Sequence, residues 1–64
     1  MKAFMYDGKI VSLEDVREIN TYNDRKRITI HIEYKNCDLP ASFSVPRENA
    51  EEVMDDIYDI LREN

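Results

Sequence analysis

The chain has 64 residues and a formal net charge of −5, with 42% hydrophobic and 36% charged residues. This composition predicts one small globular domain over residues 1–64 and excludes a disordered segment. Cys37 is the only cysteine, which excludes an internal disulfide, and one cysteine with one histidine cannot fill a usual zinc site. Because so short a chain buries little surface, we expect a homodimer.

No apolar run approaches the roughly 18 residues that a membrane span needs, so we expect no membrane contact. The start of the chain, MKAFMYDGK, also lacks the apolar core of a signal peptide. A lone cysteine is typical of a reducing compartment. We therefore expect a soluble cytoplasmic protein.

The net charge is concentrated at one end of the chain. Basic and acidic residues cancel between Met1 and Pro46, whereas the segment from Arg47 to Asn64 holds two arginines and seven acidic residues. Such a surface repels phosphates, so the charge predicts no direct binding of nucleic acid. A basic protein surface is the partner that it favours.

The first two predicted elements form a hairpin. Asp7-Gly8 stands between apolar runs and favours a type I′ turn, which needs positive φ at both central residues. The strands are Lys2–Tyr6 and Lys9–Ser12. Apolar residues lie on both sides of this hairpin, so one face is left over for a homodimer contact or is hidden by a curled sheet.

The next stretch, SLEDVREINTYN, allows two interpretations. Leu13, Val16 and Ile19 have a spacing that permits a short helix capped by Ser12. The segment REINTYN is instead rich in residues that prefer strands or turns. We favour a tight turn at Leu13–Asp15 and then a strand over residues 16–22.

Two further strands and a helix complete the chain. RITIHIEY alternates between isoleucines and polar residues, which predicts a half-buried antiparallel strand. After a KNCD turn, in which Asn36 suits a left-handed conformation, LPASFSV alternates as a strand. Pro40 indicates an edge strand or the start of a strand, and Pro46 ends it. Apolar residues then recur at helical spacing over residues 47–62, on one side only. The fold class is α+β: an antiparallel meander of four to five strands (residues 1–46) with one C-terminal amphipathic helix (residues 47–62) packed on one face.

The acidic side of the predicted helix is the main candidate site. Its members fall at i, i+4 spacings, so like charges repel each other by a few tenths of a kcal/mol per pair. An ordinary solvated helix face explains the acids, but charge retained at some cost also favours docking of a basic partner. The residues are Glu51, Glu52, Asp55, Asp56 and Asp59.

Catalytic, metal and cofactor sites are not predicted. Gly8 is the only glycine, so no phosphate-binding loop exists, and the DDIYD segment lacks the loop of an EF-hand. His31 falls on the polar face of its strand without a nucleophile near it in sequence, and Cys37 lies beside Asp38, which disfavours a thiolate. We predict a non-catalytic protein that needs no cofactor.

SLEDV before a strand, ITIHIEYKNCD as a hairpin and ENAEEVMDDIYDIL as a helix together resemble small uncharacterised accessory proteins of bacteria and their phages. The turn in those proteins is often Asn-Gly, whereas Cys37 takes the glycine position here. The resemblance implies a fold and a setting, and it transfers no functional residue.

Three functions remain open. The first is a non-catalytic accessory protein that binds a basic protein through the acidic side of its helix. The second is a phage-type inhibitor whose acids mimic nucleic acid and block a host enzyme. The third is a small-ligand module at a homodimer interface, for which the surplus aromatic residues Phe4, Tyr6 and Tyr22 are the candidates.

Overall fold

A computed structural model describes residues 2–63. Five antiparallel strands and one helix follow each other along the chain, which confirms the α+β class. The strands form two sheets rather than one continuous meander, with orders β1-β2 and β3-β4-β5. The elements are β1 (Ala3–Tyr6), β2 (Lys9–Ser12), β3 (Val16–Asn23), β4 (Arg27–Tyr34), β5 (Ala41–Pro46) and α1 (Arg47–Arg62).

The hairpin β1-β2 closes as predicted. Asp7 and Gly8 have φ values of 51° and 76°, the paired positive values that a type I′ turn requires. Phe4 pairs with Val11 on the inner side, and Met5 pairs with Ile10 on the outer side. The turn therefore fixes which side chains of the hairpin enter the core.

The ambiguous stretch after the hairpin is a turn and a strand, so the alternative of a short helix is wrong. Asp15 has a φ of 54°, and the Ser12 hydroxyl accepts a 3.2 Å hydrogen bond from the Glu14 amide. Strand β3 then begins at Val16 with a bulge before Glu18. The left-handed residue reverses the chain where a helix would need to continue.

Strand β4 is the centre of the three-stranded sheet, as its alternation predicted. Strand β5 begins only at Ala41, because β4 and β5 are joined by the six residues 35–40 rather than by a tight turn. Leu39 therefore lies outside the strand and is exposed. Within residues 2–63, positive φ at a non-glycine residue occurs at Asp7 and Asp15, so Asn36 is not left-handed.

The helix has the predicted bounds. Pro46 precedes it with φ −57° and ψ 141° and provides no side-chain cap. The first helical amide, that of Arg47, instead donates a 2.9 Å hydrogen bond to the carbonyl of Lys26 in the β3–β4 turn. Within residues 2–63, no helix is long and apolar enough to cross a membrane.

The helix and the hairpin cover the same face of the three-stranded sheet. Ile30 and Ile32 of β4 are fully buried there, and Phe4 stacks on Phe43 with ring centroids 6.1 Å apart. Nine buried hydrophobic residues form this core: Phe4, Val11, Leu13, Ile30, Ile32, Val45, Ala50, Val53 and Ile57. The second face of the sheet is covered by neither element.

That second face is called the open face below. Residues that pair across the sheet have their side chains on the same face. Side chains alternate along each strand, so the residues next to the buried Ile30 and Ile32, and the partners of those residues, point away from the helix. The residues of the open face are Glu18, Asn20, Tyr22, Arg27, Thr29, His31, Glu33, Ser42 and Ser44.

Candidate functional site

The helix presents its acidic residues to solvent as one surface, called the acidic strip: Glu51, Glu52, Asp55, Asp56 and Asp59. Ala50, Val53 and Ile57 hold the opposite side of the helix against the core. The strip covers residues 51–59, which span about 13 Å, so a partner can contact it along more than two turns. The structure thus brings together all five predicted residues of the acidic side.

Most of the strip has no cation beside it. Arg62 forms an ion pair with Asp59 at 2.7 Å. Arg47 precedes Glu51 by four residues, a spacing that permits an ion pair on a helix. Its Nη2 instead donates to the carbonyl of Asp24 at 3.0 Å. Across residues 2–63, the remaining four members of the strip form no ion pair.

The unpaired carboxylates repel each other. Glu51 and Asp55, and likewise Glu52 and Asp56, are i, i+4 neighbours, and each such pair costs a few tenths of a kcal/mol. The positive end of the helix dipole offsets part of this cost in the first turn only, where Glu48 lies. The middle of the helix therefore carries a concentrated negative potential, which no ion pair within residues 2–63 neutralises at Glu51, Glu52, Asp55 or Asp56.

The strip does not form a cation site. In the part of the chain that the structure describes, no group of three or more His, Cys, Asp or Glu side chains has the arrangement to hold a metal ion. A helix surface directs neighbouring carboxylates outward, whereas Ca²⁺ takes six to eight oxygens that converge. The geometry of the strip favours a large partner over a small cation.

The three aromatic candidates for a ligand surface are separated. Phe4 is 8% exposed and belongs to the core, and Tyr6 packs beside it against Phe43 with centroids 5.7 Å apart. Tyr22 is 56% exposed and lies on the open face, on the other side of the three-stranded sheet. No single surface contains all three rings.

The exposed apolar surface of the hairpin consists of two residues that are not among the three aromatic candidates. Met5 and Ile10 pair across the two strands and are 68% and 70% exposed. The alternation around Asp7-Gly8 contained this signal, because residues that flank Phe4 and Val11 must point the other way. A homodimer contact on the hairpin would use this pair.

His31, Cys37 and Tyr34 each contact a neighbouring group. His31 lies on the open face with its ring edge toward Tyr22, the centroids 6.1 Å apart. Cys37 is exposed, and its thiol is 3.7 Å from the carbonyl oxygen of Leu39. Burial, and secondarily the Cys37 thiol, raise the pKa of Tyr34, whose hydroxyl donates to the Ser12 carbonyl at 2.6 Å.

The fold defines a small α+β domain with an acidic helix on one side and an open sheet face on the other. Comparisons with protein-family models, with curated proteins and with solved structures return no match to this chain. The proposals below therefore depend on the geometry and charge of the described residues.

Proposed function

We propose that this chain is a small accessory protein that binds a basic protein surface through the acidic strip. The observation that carries the proposal is the set of four exposed carboxylates without an ion pair among the described residues, Glu51, Glu52, Asp55 and Asp56. The two arginines of the helix do not contact these four: Arg47 donates to the Asp24 carbonyl, and Arg62 donates to Asp59. A partner that supplied cations would remove the repulsion within the strip.

Charge complementarity sets the rate and the specificity of such a complex more than its affinity. Exposed ion pairs contribute about 0.2–1 kcal/mol each, so four of them support only a weak complex. Tyr58 is 44% exposed and lies one helical turn from Asp55. Its ring provides an aromatic contact that a tighter complex needs.

The test compares two double variants with the same change in net charge. Glu52→Lys with Asp56→Lys reverses the centre of the strip, and Glu18→Lys with Asp38→Lys reverses two exposed acids elsewhere. Proteins that wild type captures from lysate at low salt are purified, and their affinity is measured by calorimetry. We expect the strip variant to weaken binding roughly tenfold or more and the control to change it little.

Salt and competition separate the alternatives. Binding through the strip weakens steeply between low and high ionic strength, because its carboxylates are exposed. If DNA or RNA competes for the same captured protein, the strip acts as a mimic of a nucleic-acid backbone. Equal weakening by both double variants, or none by either, contradicts docking on the strip.

Homodimer formation is a second proposal, which the exposed pair Met5 and Ile10 supports. Two copies that place these pairs against each other would bury apolar side chains that one chain leaves in water. Light scattering at increasing protein concentration measures the mass. We expect wild type to approach two chains, and Met5→Lys with Ile10→Lys to remain one chain. A single-chain mass for wild type at every concentration rejects this contact.

A further inference from the structure

The open face of the sheet has a different charge from the rest of the molecule. Its charged residues are Arg27 at one end of the sheet and Glu18 and Glu33 at the other. Arg17, in the adjoining bulge, forms an ion pair with Glu33 at 2.6 Å. Two cations therefore balance two carboxylates, and the excess negative charge of the chain lies elsewhere. The residues between these ends are uncharged hydrogen-bonding groups: Asn20, Thr29, Ser42 and Ser44.

One end of this face continues into a set of four basic residues, called the cationic corner: Arg25, Lys26, Arg27 and Arg47. Lys26, Arg27 and Arg47 line one open groove together with Pro46 and Glu48. Within residues 2–63, none of the four forms an ion pair. Asp24 and Glu48 are the carboxylates of this region. With Arg27 already counted on the open face, the corner adds Arg25, Lys26 and Arg47, which leaves an excess of one positive charge.

Two guanidinium groups of the corner are held in place by neutral oxygens. Arg27 donates from Nε to the Ser44 hydroxyl and from Nη2 to the Ser44 carbonyl, both at 3.0 Å. Arg47 donates to the Asp24 carbonyl, also at 3.0 Å. These contacts fix the direction of both cations and leave their charge unneutralised, which favours an anionic ligand.

An exposed aromatic ring lies beside these cations. Tyr22 pairs with Thr29, and Arg27 is two residues from Thr29 on the same face, so the two side chains are diagonal neighbours about 7–8 Å apart. Tyr22 also holds an edge contact with His31. A sheet face with an accessible ring and a neighbouring arginine has the chemistry that binds unpaired nucleobases and their phosphates.

We propose that the open face binds single-stranded nucleic acid, with a base stacked on Tyr22 and phosphates contacting Arg27 and Arg47. A duplex fits less well, because its bases are stacked on each other and are not free to contact a ring on a sheet. The expectation from net charge alone does not apply to this face. The acidic strip lies on the helix, which packs on the face of the sheet opposite Tyr22 and Arg27. Arg47 begins that helix one turn before Glu51, and its guanidinium donates to the Asp24 carbonyl in the β3–β4 turn.

This proposal is tested separately from protein docking on the acidic strip, since Tyr22 and Arg27 lie on the face of the sheet opposite the helix, and Arg47 lies one turn before Glu51. A chain that uses both would bring a basic protein and a nucleic-acid strand to the same place. Failure of either test leaves the other unaffected.

Fluorescence anisotropy of labelled oligo-dT and oligo-U, eight nucleotides long, tests the proposal with the full chain at 50 and 200 mM salt. We expect saturable binding that weakens with salt. Tyr22→Ala weakens it roughly 5- to 150-fold, which is the range for loss of one stacking contact. Tyr22→Phe retains it, and Arg27→Gln weakens it while reducing its dependence on salt.

The matched controls are Leu39→Ala, an exposed large side chain in the loop before β5, and Lys9→Gln, an exposed cation on the hairpin. Both retain binding if the open face is the site. No saturable binding up to about 10⁻⁴ M protein at 50 mM salt overturns the proposal. It is equally overturned if a duplex or polyglutamate binds as tightly as the single strand, or if the controls weaken binding as much as the open-face variants.

Discussion

The hydroxyl of Tyr34 donates a 2.6 Å hydrogen bond to the carbonyl of Ser12. Ser12 is the last residue of β2 and Tyr34 is the last residue of β4, so this bond joins the hairpin to the three-stranded sheet. A second bond, from the Lys2 ammonium to the Leu61 carbonyl at 3.2 Å, joins the start of the chain to the end of the helix. The hairpin is thus joined to the three-stranded sheet by a hydrogen bond as well as by the core, and the start of the chain is joined to the helix.

Removal of the Tyr34 hydroxyl is expected to weaken the contact between the hairpin and the three-stranded sheet. Tyr34→Phe retains the ring but leaves the Ser12 carbonyl without its donor, and we expect the free energy of unfolding to fall by about 1 kcal/mol. Urea denaturation measures the change. Tyr22→Phe is the control, because Tyr22 is exposed and its change should stay within about 0.5 kcal/mol. Equal losses in both variants would contradict a specific role of the Tyr34 bond.

The raised pKa of Tyr34 predicts that the protein loses stability at high pH. Burial raises the pKa of Tyr34 above its ordinary value of 10.0, so above that pH the folded chain retains a proton that the unfolded chain releases. The contribution of Tyr34 is complete below pH 10 and is lost as pH rises through its folded-state pKa. Absorbance titration at 295 nm should show one tyrosine ionising later than the others, and Tyr34→Phe should lack that step. A titration unchanged in the variant would contradict this assignment.

The sequence predicted the local structure well because turn residues and periodicity are local properties. Asp7-Gly8 specified the hairpin, Pro46 separated β5 from the helix, and alternation identified the buried side of β4. These signals depend on residues a few positions apart. The strand that follows the Leu13–Asp15 turn was also correctly preferred to a helix.

The arrangement of these elements could not be predicted in the same way. Periodicity shows that Phe4 and Tyr22 each lie on one side of a strand, but not that a sheet separates them. It also assigned Leu39 to an apolar side, although the chain there belongs to a loop and the side chain is 77% exposed. The basic run at residues 25–27 is visible in the sequence, but the position of Arg47 beside it is not. The neutral oxygens that hold Arg27 and Arg47 belong to residues at least 17 positions away, which sequence spacing does not reveal.

The hairpin turn depends on Gly8. Its φ of +76° is strained for any residue with a Cβ, although no atom within 4 Å would meet that Cβ. We expect Gly8→Ala to lower the free energy of unfolding by about 1–2 kcal/mol through backbone strain alone. Gly8→Asn should lose less, since asparagine tolerates this conformation. Thermal denaturation ranks the variants, and an alanine variant as stable as wild type would show that the turn adjusts freely.

The core should be intolerant of cavities because the chain is small. Ile57 is fully buried between the helix and the sheet, and Ile57→Ala is expected to cost about 2–5 kcal/mol. A domain of this size has roughly 3–10 kcal/mol in total, so the variant should be largely unfolded or close to it. Leu39→Ala removes the same number of atoms from an exposed position and should change stability by less than about 0.5 kcal/mol. Circular dichroism with urea denaturation distinguishes the two, and similar stabilities would contradict the core described above.

The repulsion within the acidic strip predicts a variant that is more stable than wild type. Asp55→Lys places a cation one turn after Glu51 and one turn before Asp59, which replaces two repulsive pairs by attractive ones. We expect a gain of about 0.5–1 kcal/mol at low salt. The gain should shrink at 1 M salt, where the Debye length is about 3 Å.

Asp38→Lys makes the same charge change in an exposed loop and controls for the reduction in net charge. A gain specific to Asp55→Lys, together with weaker capture of basic proteins, would show that the strip retains its charge at a cost to stability for the sake of binding. Equal gains in both variants would mean that only net charge matters. The strip would then be an ordinary solvated surface, and docking on it would lose its main physical support.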